Sequence, residues 1–282
     1  MDIRSLIRLP SSRLPGSAAA ALALAAIFAG VLPSTVRACP SPAAPREGEP
    51  QRVTLATEDK LALVGTFYAP KDSKSRAPGV VLVHGAGGSR VELDALALRL
   101  QKSGFAALTI DLRGHGESAT DALQWKTMDA EAQQRAWAFM SRDVKAGVDF
   151  LLDQKGVHST TVSLLGRGAG AALVARQATR DDRVRDLVLL TPETEALAST
   201  LVKDLIDLAG LPVLVAFDKE QGAAARRFAE AVNRDVAGES TLETQVTKLA
   251  CDEMLSDLKL ASEFGRFMKS KALPPSAATP AR

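Results

Sequence analysis

The sequence predicts an α/β fold, a mainly parallel sheet with helices on both faces and an antiparallel hairpin at its N-terminal edge. Three observations carry this. Short apolar runs such as GVVLV (Gly79–Val83) and PVLVAF (Pro212–Phe217) are continuous rather than alternating, as strands buried on both faces are. A helical pattern follows each of them, so strand and helix alternate to the end of the chain. The stretch Thr161–Ala178, TVSLLGRGAGAALVARQA, joins a strand to an alanine-rich helix through glycines at 166, 168 and 170. In α/β sheets that junction is where function concentrates.

From the N-terminus, Arg4, Arg8 and Arg13 form a basic region before the uncharged Ala/Leu-rich run Ala18–Leu32. Val36-Arg37-Ala38 then places small residues at the −3 and −1 positions, so residues 1–38 are expected to be a secretory signal peptide. The apolar run is shorter than the ~18 residues that span a bilayer. Export to the periplasm, the exterior or a lipid-anchored place in the envelope is the expectation. Cleavage would leave Cys39 first, where it is either acylated or, in an oxidising compartment, a disulfide partner for Cys251. The formal charge of the chain is +2, and residues 1–38 hold four Arg and one Asp, which leaves −1 for the remainder. Nothing in that balance suggests nucleic acid. Cysteine spacing offers no metal site, and the oligomeric state stays open.

Residues 39–51 are Pro-rich and polar, a tether before a domain spanning 52–271, and 272–282 form a loose tail. Arg52–Thr57 and Leu61–Ala69 alternate apolar and polar about Glu58-Asp59-Lys60, as a hairpin does. After the strand Gly79–Val83, Ser89–Ser103 is helical, with Leu93, Leu96 and Leu100 on one face. Phe105–Ile110 is a buried strand, Thr120–Glu131 irregular or weakly helical, and Gln133–Gln154 one long helix. Further strands are expected at Arg185–Leu190, Pro212–Phe217 and Leu242–Leu249. Helices are expected at Leu197–Ala209, Gly222–Asn233 and Met254–Lys269.

Three segments, each behind a strand, are HGAGGS (His84–Ser89), DLRGHGES (Asp111–Ser118) and LLGRGAGAA (Leu164–Ala172). In this order they resemble the α/β-hydrolase family, of the esterase, dienelactone-hydrolase and serine-aminopeptidase type. The resemblance covers about Arg52 to Lys271. It implies the hydrolase fold, a small ester-like ligand and no cofactor. It also implies an oxyanion hole at His84, Gly85 and Ala86, with N–H groups offered by Ala86 and by Ala169. His84 and His115 are expected to be structural, and Trp125 is a candidate roof for the pocket.

The catalytic set is incomplete. In the family's Gly-x-Ser-x-Gly pattern, the nucleophile position here is Gly168, which has no side chain to form an acyl-enzyme. The base should follow the last strand, yet Lys248–Leu255 contains Cys251 and no histidine; His158 precedes its strand, at the opposite end of the sheet. Asp218 or Glu220, after PVLVAF, would serve as the acid. Gly166-x-Gly168-x-x-Ala171 also fits a dinucleotide fingerprint, but strands precede it and its acidic partner, Glu193, lies too far on. The expectation is therefore a hydrolase-fold protein without Ser-His-Asp catalysis, serving in binding or scaffolding. The alternative is a serine-independent hydrolase of small esters or lactones.

Overall fold

The computed structural model describes residues 48–71, 76–193, 198–208, 210–235 and 242–270. The expected signal peptide, Cys39 and the C-terminal tail lie outside them. Among the described residues no helix is long and apolar enough to cross a membrane.

Eight strands form one sheet: β1 (Gln51–Ala56), β2 (Ala62–Tyr68), β3 (Ala77–Val83), β4 (Ala106–Ile110), β5 (Val157–Arg167), β6 (Val184–Leu190), β7 (Val213–Phe217) and β8 (Leu242–Val246). Their spatial order is β1-β2-β4-β3-β5-β6-β7-β8. The pairs β1–β2 and β2–β4 are antiparallel, the rest parallel. This is the expected architecture, hairpin included. Because β3 is flanked by β4 on one side and β5 on the other, the crossover from β3 to β4 runs one way and that from β4 to β5 runs back past β3. The cleft at such a switch point is where α/β sheets bind ligands. Val83 pairs with Gly166 at that end of the strands, so the loop after β3 and the turn after β5 emerge side by side.

The central strands alternate two apolar faces. Val81 and Val83 face a core built with α2 (Ala130–Phe139), α3 (Ser141–Leu152), α4 (Gly170–Ala178), α5 (Ala198–Asp207) and α6 (Gly222–Asp235). Val80 and Leu82 face a second core with α1 (Asp94–Lys102), α7 (Cys251–Ser256) and α8 (Leu258–Ser270). Both faces are thus covered, which is why these strands show no polar alternation.

Two predicted helices are each divided in the structure. The long helix expected at 133–154 breaks at Met140. There the N–H of Met140 bonds to Trp137 O at 3.1 Å and Asp143 N–H bonds to Met140 O at 3.0 Å, three-residue spacings that tighten one turn. The helix expected at 254–269 breaks at Asp257, which is extended and caps the N–H of Leu260 through Oδ1 at 2.6 Å. The segment expected to be irregular or weakly helical holds a short 3₁₀ turn at Trp125–Thr127 and the first residues of α2, which Asp129 caps at Ala132 N (2.8 Å). Strand β8 stops at Val246. It is an edge strand and half-exposed, so little hydrophobic signal marks its end.

Candidate functional site

The turn after β5 is shaped by its outer glycines. A Cβ on Gly166 would stand 2.6 Å from Gly170 O, and one on Gly170 would stand 2.4 Å from His84 O. No side chain fits at either place. Gly168 differs. Its φ is +55°, the left-handed conformation that favours glycine, but a Cβ there would meet nothing closer than Glu193 Oε1 at 3.8 Å. The nucleophile position is open space at the floor of a cavity of about 410 Å³.

One wall of that cavity is the loop 84–88. His84 is fully buried; its Nε2 accepts the N–H of Leu112 at 3.1 Å, so Nδ1 carries the proton and donates to Gly85 O at 2.7 Å. Burial lowers its pKa to about 4, so the ring is neutral. His115 Nε2 accepts from Gly87 N–H at 3.1 Å, which Gly87 can aim there because its φ is +74°. Burial lowers the pKa of His115 as well. Each ring thus spends both nitrogens on backbone groups of these loops. Trp125 stacks on the His115 ring at 4.7 Å rather than roofing the cavity, whose lining it does not join. The N–H groups of Ala86 and Ala169 have no partner among the described residues. Two backbone donors beside an empty position are what a developing oxyanion requires.

The opposite wall comes from the loops after β6, β7 and β8. Asp218 lines the cavity, but its Oδ1 accepts from Glu220 N (2.9 Å) and Gln221 N (3.0 Å), capping the approach to α6. Glu220 is exposed and lies off the cavity, so of the two candidate acids only Asp218 is brought to the site. Cys251 reaches the cavity in place of a base. Its Sγ is 3.4 Å from Arg167 Nη2 and 3.5 Å from Thr191 Oγ1. None of the three histidines lines the cavity, and His158 sits at the far end of β5, as expected.

Arg167 organises this wall. Its guanidinium pairs with Glu92 and with Asp252 Oδ1 at 3.0 Å. Burial works against its charge, but the Cys251 sulfur and these carboxylates outweigh it and raise its pKa. Sequence reasoning missed Glu92, Arg167, Thr191, Glu193 and Gln221 as lining residues. For Glu92 a signal existed, since Ser89-x-x-Glu92 is a capping-box pattern, and Glu92 Oε1 accepts the Ser89 N–H at 3.1 Å. Thr191, at φ +40°, carries no local mark of its place. Among the described residues no cluster of His, Cys, Asp or Glu could hold a metal ion.

A parallel sheet with an antiparallel edge, a glycine-framed elbow after β5 and a glycine-rich loop after β3 define an α/β-hydrolase fold of esterase type. The sequence pattern of the family described as serine aminopeptidase, S33, matches residues 74–268, and the chain belongs to that family. It is 27% identical over 154 residues to the quorum-quenching protein AidA of Acinetobacter baumannii, covering 54% of this chain and 47% of that protein. It is 28% identical over 145 residues to the thiohydrolase aneE of Aspergillus aculeatus, covering 51% and 42%. The chain therefore spans about half the length of these curated relatives. Among solved structures, an esterase of Pyrococcus furiosus superposes with a TM-score of 0.61 at 18% identity, covering 79% of this chain and 91% of that one. A dienelactone hydrolase of Anabaena variabilis gives 0.59 at 14%, covering 79% and 96%. At such identities the likeness is one of fold.

Proposed function

We propose that this protein binds small carboxylic esters, thioesters or lactones through the retained oxyanion loop and does not form a serine acyl-enzyme. One observation carries the reading: Ala86 lines the cavity beside Gly168, Ala169 follows Gly168 in the chain, neither N–H has a partner among the described residues, and at Gly168 no side chain stands and no imidazole lines the cavity. Such a site can hold a carbonyl oxygen. It cannot run the Ser-His-Asp cycle. The thiohydrolase among its relatives supports including thioesters in the ligand class.

The test is twofold. A serine-directed fluorophosphonate is expected to leave the mass of the protein unchanged, while 4′-nitroacetanilide, an uncleaved amide isostere of an activated ester, binds saturably in NMR titrations. A stoichiometric phosphonate adduct at a serine would overturn the reading, as would absence of amide binding.

Export belongs to the same proposal. The mature chain is expected to begin at Cys39, either diacylated there or two mass units light through a disulfide to Cys251. Intact-mass analysis of the secreted or membrane fraction reads either form, and a retained residue 1 would refute both.

A further inference from the structure

Resting on that reading, we propose that Glu193 is the general base of a one-step hydrolysis at this site, acting on a water that takes the place of the missing serine hydroxyl. Glu193 follows β6 through Thr191 and Pro192. The positive φ of Thr191 turns the chain back over the strand ends, and its N–H, bonded to Ala216 O at 2.7 Å, holds the turn. Proline then stiffens the next residue. The result is that, outside residues 167–169, Glu193 Oε1 is the nearest heavy atom to the point a Gly168 Cβ would occupy, at 3.8 Å. A water replacing the hydroxyl on the side of that point that faces Glu193 is within hydrogen-bonding reach of Oε1.

The other carboxylates of the cavity are committed elsewhere. Glu92 is held by Arg167 and by the Ser89 N–H, and Asp218 caps the approach to α6. Glu193 lines the cavity with no ion pair or side-chain hydrogen bond among the described residues. It is the carboxylate available to accept a proton above Gly168.

The step closes without a covalent intermediate. The ester carbonyl oxygen accepts the N–H groups of Ala86 and Ala169. Water attacks the carbonyl carbon as its proton passes to Glu193, and the tetrahedral oxyanion rests on the two N–H groups. Collapse breaks the bond to the leaving oxygen or sulfur, which departs as an anion with the bonding pair and only afterwards takes up the proton held on Glu193, restoring the base. One ester and one water become one acid and one alcohol or thiol. No imidazole is present to protonate a poor leaving group, so the substrate class narrows to aryl esters, enol esters and thioesters, whose leaving groups depart as anions.

The experiment is steady-state hydrolysis of 4-nitrophenyl acetate and phenyl thioacetate by the full domain, with mass spectrometry of acid-quenched samples. Wild-type protein is expected to turn over saturably with no burst and no acetylated protein. Glu193→Gln should lower kcat by about 100-fold or more, the usual contribution of a general base, while 4′-nitroacetanilide still binds. Gly168→Ala, whose methyl takes the water's place, should lower kcat at least tenfold, and Glu131→Gln on the exposed side of α2 should match wild type. Unchanged kcat in Glu193→Gln, absence of turnover, or a trapped acetyl group on the protein would each overturn the proposal. Loss of amide binding in wild type would instead sink the binding reading beneath it.

Discussion

The loop after β3, braced by the loop after β4, and the loops after β6, β7 and β8 meet at one cavity, yet they are held by different means. On the first side the polar side chains are mostly buried and tied to backbone groups or to one another. His84 and His115 each use both ring nitrogens. Asp111 accepts the Arg90 N–H at 2.7 Å and pairs with its guanidinium, and Arg113 is clasped by Asp143 and Asp59. On the second side the polar groups are partly exposed and mostly serve local turns. The contrast teaches that the oxyanion side is architecture, kept whole because leaving any buried partner unpaired is costly. The base side contributes side chains that the fold can lose or exchange, and there the expected histidine is absent.

The largest effect should come from breaking the first side. Asp143, fully buried against Arg113, is expected on replacement by Ala to cost about 3 kcal/mol in urea unfolding, since it leaves the buried guanidinium with only the partly exposed Asp59. Its counterpart on the second side, Asp218→Ala, should cost about 1 kcal/mol, the loss of a cap. Equal costs would erase the distinction. The elbow gives a sharper pair. Gly170→Ala drives a methyl into the backbone of the His84 loop and should cost about 3 kcal/mol or more. Gly168→Ala enters open space and should lose only about 1–2 kcal/mol to its left-handed backbone. Melting curves of the two variants measure the difference directly.

The smallest test concerns pH. His84, lowered to about 4 by burial, contributes stability that is present above its ordinary 6.5 and lost as pH falls toward 4. Asp186, buried in β6 and raised to about 6, does the reverse: its contribution is present below 3.8 and lost as pH rises through 6. Between about pH 4 and 6 the two slopes oppose each other. Asp186→Asn removes one, so its stability should climb by about 2–3 kcal/mol across that window while wild type climbs less. Parallel curves in denaturant titrations would show that the two groups do not offset each other.

Much of this was legible in the chain itself. The buried runs, the glycine loop at 84–88 and the elbow at 166–170 were identifiable because each depends on local chemistry: continuous apolar strands, and glycine where no Cβ fits. The empty nucleophile position and the lack of a C-terminal histidine were likewise a matter of reading residues. The helix break at Met140 was not, since Met is no breaker, and at Asp257 a capping residue stood inside an otherwise continuous helical pattern.

The cavity wall was the least legible part. Arg167 is merely the variable residue of its motif, and its pairing with Glu92 and Asp252 joins positions 75 and 85 residues away. Glu193 looked like a misplaced dinucleotide acid until the turn at Thr191 set its carboxylate over Gly168. The sequence by itself determined the hydrolase fold, the glycine-rich loop after β3 and the glycine at the nucleophile position, because hydrophobic period, glycine sterics and side-chain identity are local properties. Only the tertiary structure decided which carboxylate faces the vacancy and which is spent on a cap or an ion pair, because that choice depends on distances between loops that the sheet alone brings together.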